Sequence, residues 1–295
     1  MSKERTGELY IFGSTIIWSF FPIITVLSYK NVPSIISLSI STFIATIFFF
    51  ILVIYKRKLY ELRNRLLWKY IFYIVFFIGI LFYLLYFLGL TKTTAGNASI
   101  IGLFEIFTSY LFFNIIKKEP FSLQSKIGAF LMIIGVLIIL APNFSSLNFG
   151  DLFIFIAMFF APIGNFFQQK AKLISSTETI LFLRSLIATP CLFLIAYFFG
   201  QYFNISDAKE SFLFLIINGF IMFGLSKIFW LEAISRISVT KANALHSLTP
   251  LLTLLLAWFI LHQTPTYFQI ASLIPLILGV LLLTDNIKLK FNYAN

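Results

Sequence analysis

The sequence predicts an all-α membrane protein of ten transmembrane helices in two inverted five-helix repeats. Three observations predict it. Of 295 residues, 60% are hydrophobic, 19% aromatic and only 11% charged, and the mean hydropathy is +0.96, outside the range of soluble domains. Ten apolar runs of about 20 residues follow one another, each long enough to cross a hydrocarbon core of about 30 Å as a helix. Finally, motifs of the first half return in the second. Gly7-Glu8-Leu9-Tyr10-Ile11-Phe12 is matched by Gly150-Asp151-Leu152-Phe153-Ile154-Phe155, Ala95-Gly96-Asn97-Ala98 by Lys241-Ala242-Asn243-Ala244, and Gly135-Val136-Leu137 by Gly279-Val280-Leu281, at offsets of 143, 146 and 144 residues.

The expected spans of the first copy, residues 1–145, are 9–29, 33–55, 68–90, 96–116 and 123–141. Those of the second, residues 146–295, are 151–169, 178–200, 211–233, 240–262 and 266–285. All must be helices, because an open segment in lipid has to satisfy its own backbone. Five spans is an odd number, so the second copy starts on the opposite side of the membrane, and the copies are related by a pseudo-two-fold axis in the membrane plane. Pro22 and Pro162 are expected to break the opening helix of each copy at nearly matching depth, freeing backbone carbonyls. Pro250 is a further break candidate, and Pro190 and Pro275 are kink candidates.

The net charge of +11 raises the question of a polyanionic partner. Sorting by connection answers it. With the N-terminus in the cytoplasm, seventeen of the 22 Lys and Arg fall on the cytoplasmic side, Lys288 and Lys290 among them. Only Lys30, Lys92 and Lys209 fall outside, and Arg184 and Lys227 lie within spans. This is the positive-inside pattern for both termini cytoplasmic, and it implies no nucleic acid. The lipid bilayer is the expected partner, and the Lys56 to Lys69 stretch suits anionic head groups. The expected location is the cytoplasmic (inner) membrane of a bacterium. No soluble partner is implied, and a homodimer is left open.

Cys191 is the single cysteine, so neither an intramolecular disulfide nor a thiol metal site is expected. Lys3 and Arg5 precede a full-length span without a cleavage pattern, so a removable signal peptide is not expected. No Walker-type loop and no appended soluble domain are read, and no cofactor or metal is implied. An intramembrane enzyme fails on inventory. The two histidines, His246 and His262, stand apart, and no His-Glu-x-x-His, paired Asp or Gly-x-Ser-x-Gly pattern occurs. A channel would show more rings of polar residues. A non-transporting scaffold would have no need of Glu105 in the hydrocarbon.

Several stretches carry a resemblance: Gly89-Leu90-Thr91-Lys92-Thr93-Thr94-Ala95-Gly96-Asn97-Ala98-Ser99, Lys118-Glu119-Pro120-Phe121-Ser122, and residues 128–137 in the first half. Residues 233–244 and Ser247-Leu248-Thr249-Pro250-Leu251 do the same in the second. Over residues 7–285 the chain resembles the EamA type of the drug/metabolite transporter superfamily. Two departures stand out: the acidic residue after helix 4, Glu119, becomes Gln263 after helix 9, and Phe104 takes the usual helix-4 proline position. The resemblance implies a secondary transporter of amino acids, other small metabolites or toxic organic compounds, most often exported. An importer or exchanger of sugar- or nucleotide-type solutes is the alternative.

Alternating access then requires a central cavity between helices 1, 3 and 4 and helices 6, 8 and 9. Its candidate lining is Trp18, Ser19, Tyr83, Tyr86, Glu105, Asn165, Gln168, Lys227, Trp230 and His246. Glu105 lies near the bilayer midplane, where a carboxylate is costly unless paired, hydrated or protonated, and it shares a helix face with Gly102, Thr108 and Ser109. It reads as a proton carrier or as the partner of a substrate amine. The bland alternative is a protonated Glu hydrogen-bonded to a neighbouring helix. Lys227 either enters the cavity, to meet a carboxylate or Glu105, or snorkels to the interface. For Arg184, snorkelling is the better reading. His246 reads as packing more than as a proton relay, Asn97 and Asn243 as helix-start caps or bridges at least as strongly as substrate contacts, and Glu232 with Arg236 as an interfacial pair.

Overall fold

The computed structural model describes residues 2–118, 122–143, 148–204, 208–284 and 287. Among them run ten helices, nine long and apolar enough to cross a membrane. They are α1 (Lys3–Ser28), α2 (Ser34–Tyr55), α3 (Arg65–Leu90), α4 (Ala95–Ile116), α5 (Leu123–Leu140), α6 (Phe149–Lys172), α7 (Thr177–Phe198), α8 (Lys209–Ile234), α9 (Val239–Leu261) and the shorter α10 (Tyr267–Leu283). Each span expected from the sequence has its helix. Glu119, Lys288 and Lys290 lie outside the described residues.

Side chains placed just before the helices mark where they start. Ser2, Asn64, Thr94, Ser122, Asn148 and Ser238 each accept a hydrogen bond from a backbone N–H of the following first turn, and Thr266 forms a capping box with Gln269. Thr94 and Ser238 thus do the capping, and of the two tasks expected of Asn97 and Asn243 it is bridging that they perform, to Asp151 and Gln269 and to Glu105 and Ser109. The reason is local: a cap must stand outside the helix, and Asn97 and Asn243 are the third and fifth residues of theirs.

The helices pair as an in-plane two-fold axis demands. Equivalent helices meet across the axis, α2 against α7 and α5 against α10, while α1 packs on α8 and α3 on α6 as exchanged partners. The α5–α10 seam is close because glycines face each other. A Cβ on Gly279 would lie 2.7 Å from the carbonyl oxygen of Gly128, and one on Gly135 2.4 Å from Leu276 Cγ. In lipid, where apolar surface alone drives no association, such close backbone approach supplies the packing. Phe12, Phe43, Phe72, Phe130, Trp258 and Phe259 point outward from the bundle, as a lipid-facing surface requires.

Helix breaks follow the sequence expectation in part. Pro22 does break α1, which ends a first segment at Ser19 and resumes at Phe21. At this break the Thr253 hydroxyl donates to the carbonyl of Ser19 at 2.9 Å. Pro250 begins the second segment of α9, after a 3-10 turn at His246–Leu248. Pro162, however, does not break α6, which runs unbroken from Phe149 to Lys172. Its missing N–H would leave the carbonyl of Met158 unpaired, but Thr108 of α4 donates to that oxygen at 2.7 Å, so the helix continues. α7 and α10 likewise run through Pro190 and Pro275.

Two features had no proline to announce them. α4 breaks at Leu103, between Ala95–Gly102 and Phe104, although phenylalanine occupies the proline position. Phe104 there packs among Phe107, Phe155 and Phe159. In addition, α3 and α8 each contain a π-helical stretch, Val75–Phe82 and Asn218–Leu225, at equivalent places in the two copies. Such stretches insert residues into a helix and rotate the face of its next turns, frequently at functional sites.

Candidate functional site

The π stretches end just before the residues that matter. Tyr83 and Tyr86 follow the first and Lys227 and Trp230 the second, so the turned faces of α3 and α8 both aim into the bundle centre. There two adjoining chambers open. The helices around them are α1, α3, α4, α6, α8 and α9, the six expected, with Arg184 contributed by α7.

One chamber is largely apolar, walled by Pro22, Phe82, Ile106, Met158 and Pro250. The other is charged, and Arg184, Lys227, Asn165 and Gln168 enter its lining. Trp18, Phe82, Glu105, Asn243 and His246 belong to both and form the shared wall. Tyr86 faces the apolar chamber and Tyr83 and Trp230 the charged one. Of the ten expected lining residues only Ser19 is elsewhere. It is buried, and its hydroxyl donates to the carbonyl of Ile16 at 2.7 Å because the break at Pro22 turns it away from the centre.

Glu105, of the first copy, is held by two amides of the second. Asn165 of α6 donates to its Oε1 at 3.1 Å and Asn243 of α9 at 3.5 Å. Asn165 is itself fixed, its Oδ1 accepting from Trp230 Nε1 at 3.0 Å and from Gln168 Nε2 at 3.1 Å. Asn243 also donates to Ser109 at 3.0 Å. One carboxylate oxygen therefore sits at the hub of a network that joins α4, α6, α8 and α9. Gly102 shares the cavity face with Glu105, whereas Thr108 turns to α6 and Ser109 to Asn243.

Lys227 faces the cavity and does not snorkel. Its Nζ lies over the Trp18 ring, 3.2 Å from the centroid, and 5.7 Å from that of Tyr83, a cation–π placement. The snorkelling expected of Arg184 is not found. The residue is 2% exposed and lines the charged chamber, with α7 packed closely on α3, where a Cβ on Gly79 would lie 3.3 Å from Ala188 Cβ. His246 Nδ1 lies 2.9 Å from Thr15 Oγ1, whose hydroxyl already donates to the carbonyl of Ile11. The histidine is thus the donor there, which leaves Nε2 as an acceptor. Among the described lining residues, one acidic side chain, Glu105, shares the cavity with two basic ones, Lys227 and Arg184.

Closures at the two ends of the bundle correspond between the copies. At the face bearing the N-terminus, Lys241 at the start of α9 pairs with Glu4 and, at 2.7 Å, with Glu8 of α1. At the opposite face Asp151, the counterpart of Glu8, accepts from Thr93 and from Asn97 at the start of α4, and Gln269 donates to Asn97 Oδ1 at 2.7 Å. Glu232 pairs with Arg236, as expected, and also with Lys172 at 2.6 Å and with Thr177.

A bundle of two inverted copies around one charged central cavity is the architecture of a membrane transporter. The chain belongs to the EamA-like transporter family, whose model matches residues 5–141 and again 148–285. It is 26% identical over 216 residues to sll1164 of Synechocystis sp., an uncharacterized transporter, covering 69% of this chain and 62% of that one's length. It is 21% identical over 290 residues to YoaV of Bacillus subtilis, also an uncharacterized transporter, with 93% of each covered. A solved crystal structure superposes at a TM-score of 0.72, with 16% identity, over 96% of this chain and 98% of that one, which establishes the shared fold alone.

Proposed function

We propose that the protein is a secondary transporter that exports a small amphoteric, amino-acid-like solute by alternating access. One observation carries the reading: Glu105 and the cations Lys227 and Arg184 stand on the walls of a single cavity formed by helices of both copies. In this reading the carboxylate of the solute meets Lys227 and Arg184, its ammonium group meets Glu105 in the shared wall, and its apolar body enters the chamber beyond. Between solutes Glu105 can carry a proton, and its amide partners keep it oriented.

The membrane disposition is part of the same proposal. Lys56, Arg57, Lys58, Arg63, Arg65, Lys170, Lys172, Arg236 and Lys241 gather at the N-terminal face, which supports a cytoplasmic location for that face. The bacterial relatives support a bacterial cytoplasmic membrane. The unlike closures at the two faces support alternation, since each is made by the opening helix of one copy and a broken helix of the other.

The test is transport by purified protein in liposomes. Wild type is expected to move a neutral amino acid across the bilayer, and Glu105→Gln to slow that movement at least about tenfold, since losing one partner of a buried charge pair costs on the order of 2–5 kcal/mol. A Glu105→Gln variant with unchanged rate and unchanged pH dependence would remove Glu105 from the mechanism.

A further inference from the structure

We propose that Gly102 sets the depth of the apolar chamber and so limits the apolar body of the solute, an inference that rests on the amino-acid-like reading of the solute. Its missing side chain has neither of the usual causes. The backbone does not ask for glycine, because Gly200, at φ 65°, is the only glycine with a positive φ. Packing does not ask for it either. A Cβ built on Gly102 meets nothing within 4 Å, whereas at every glycine other than these two it would come within 3.3 Å of a neighbour. Gly164 would meet Ile78 at 2.3 Å and Gly96 would meet Leu254 at 2.7 Å.

A helical glycine lowers stability relative to alanine, so Gly102 carries a cost without a structural return. What it leaves is space at the right place. It lines the apolar chamber one turn after Ala98 and one turn before Glu105, at the end of the first segment of α4. In the second copy the equivalent position is Leu248, so the two copies differ here as they differ at Glu105 and Lys227. A branched side chain at 102 would fill the chamber while leaving the charged groups in place.

Two measurements test this. Gly102→Cys in a Cys191→Ser background, where it is the only cysteine, is expected to react with N-ethylmaleimide in proteoliposomes, while Ala45→Cys, buried in α2, stays unreacted. Gly102→Ala is expected to raise the melting temperature, and Gly102→Leu to lower the transport of phenylalanine relative to alanine about tenfold or more, the discrimination a tight apolar pocket provides. If Gly102→Leu does not reach the membrane, Gly102→Val carries the same comparison. An unreactive cysteine, or an equal effect on both amino acids, overturns the proposal. If wild type moves neither amino acid, the amino-acid-like reading falls, and the labelling alone decides whether Gly102 is an open cavity wall.

Discussion

Asn165 shows how much one buried amide can organise. It donates to Glu105 and accepts from both Trp230 and Gln168, so three helices depend on its orientation. Asn165→Ala would leave the Trp230 and Gln168 donors unpaired, and it is expected to destabilise by about 1–3 kcal/mol, the usual cost of an unsatisfied buried group. Thermal unfolding in detergent measures it. At the aqueous end, Glu61 lies in the connection between α2 and α3. Burial raises its pKa, but donation from the Ser176 backbone N–H and from the Ser175 and Ser176 hydroxyls outweighs this and holds it below its ordinary 4.5. A lowered folded pKa means that the clasp is complete above the ordinary carboxylate range and is lost as pH falls through the lowered value. The hydrogen-exchange protection of residues 59–63 and 173–176, taken relative to the intrinsic exchange rate at each pH, should fall in acid, and Glu61→Gln should abolish that pH dependence. Residues such as Glu105 and Lys227 were legible because charge in hydrocarbon is rare. Arg184 was not, since its depth near a helix end suits snorkelling, and only the packing of α7 in the bundle shows that it lines the cavity.

At the scale of the helix, sequence reasoning located the spans but not all of their irregularities. Pro22 and Pro250 interrupt their helices as expected. Pro162 does not, because a hydroxyl from another helix supplies the bond its own backbone lacks. Thr108→Val is therefore expected to weaken α6, leaving the Met158 carbonyl unpaired at a cost of about 1–3 kcal/mol. The π stretches carry no residue signature, yet they set which faces of α3 and α8 meet the cavity. The α5–α10 seam offers a sharper check. Gly135→Leu would place its side chain against Leu276 and the Ser272 carbonyl, and overpacking of about 1–3 kcal/mol or more is expected, read as a loss of folded yield and melting temperature.

For the whole molecule, alternation requires that the closures at the two faces cannot both stay shut. Linking Glu8→Cys to Lys241→Cys with a bifunctional maleimide, in the Cys191→Ser background, is expected to stop transport, and cleaving the linker to restore it. Continued transport in the linked protein would contradict alternating access through this face. Burial differs between the ends: Asp151 is fully buried, whereas the side chains of Lys241 and Glu8 remain 38% and 40% exposed. The N-terminal closure is thus the one that salt should weaken, since exposed charges are screened and buried ones much less.

The amino-acid sequence by itself determined the membrane residence, the ten helices, the duplication and its inversion. The reason is that partition into lipid depends on the summed hydropathy of about 20 consecutive residues, a local property that no neighbour overrides. The tertiary structure alone decided which polar residues share the cavity. A helix turns by about 100° per residue, so a π insertion or a glycine contact that rotates it slightly changes which side chains face inward. Tyr83, Tyr86, Lys227 and Trp230, just past the two π stretches, meet at the cavity in this way, and only the packed bundle brings Arg184 to it, keeps Ser19 out of it and leaves Gly102 open to the space next to Glu105.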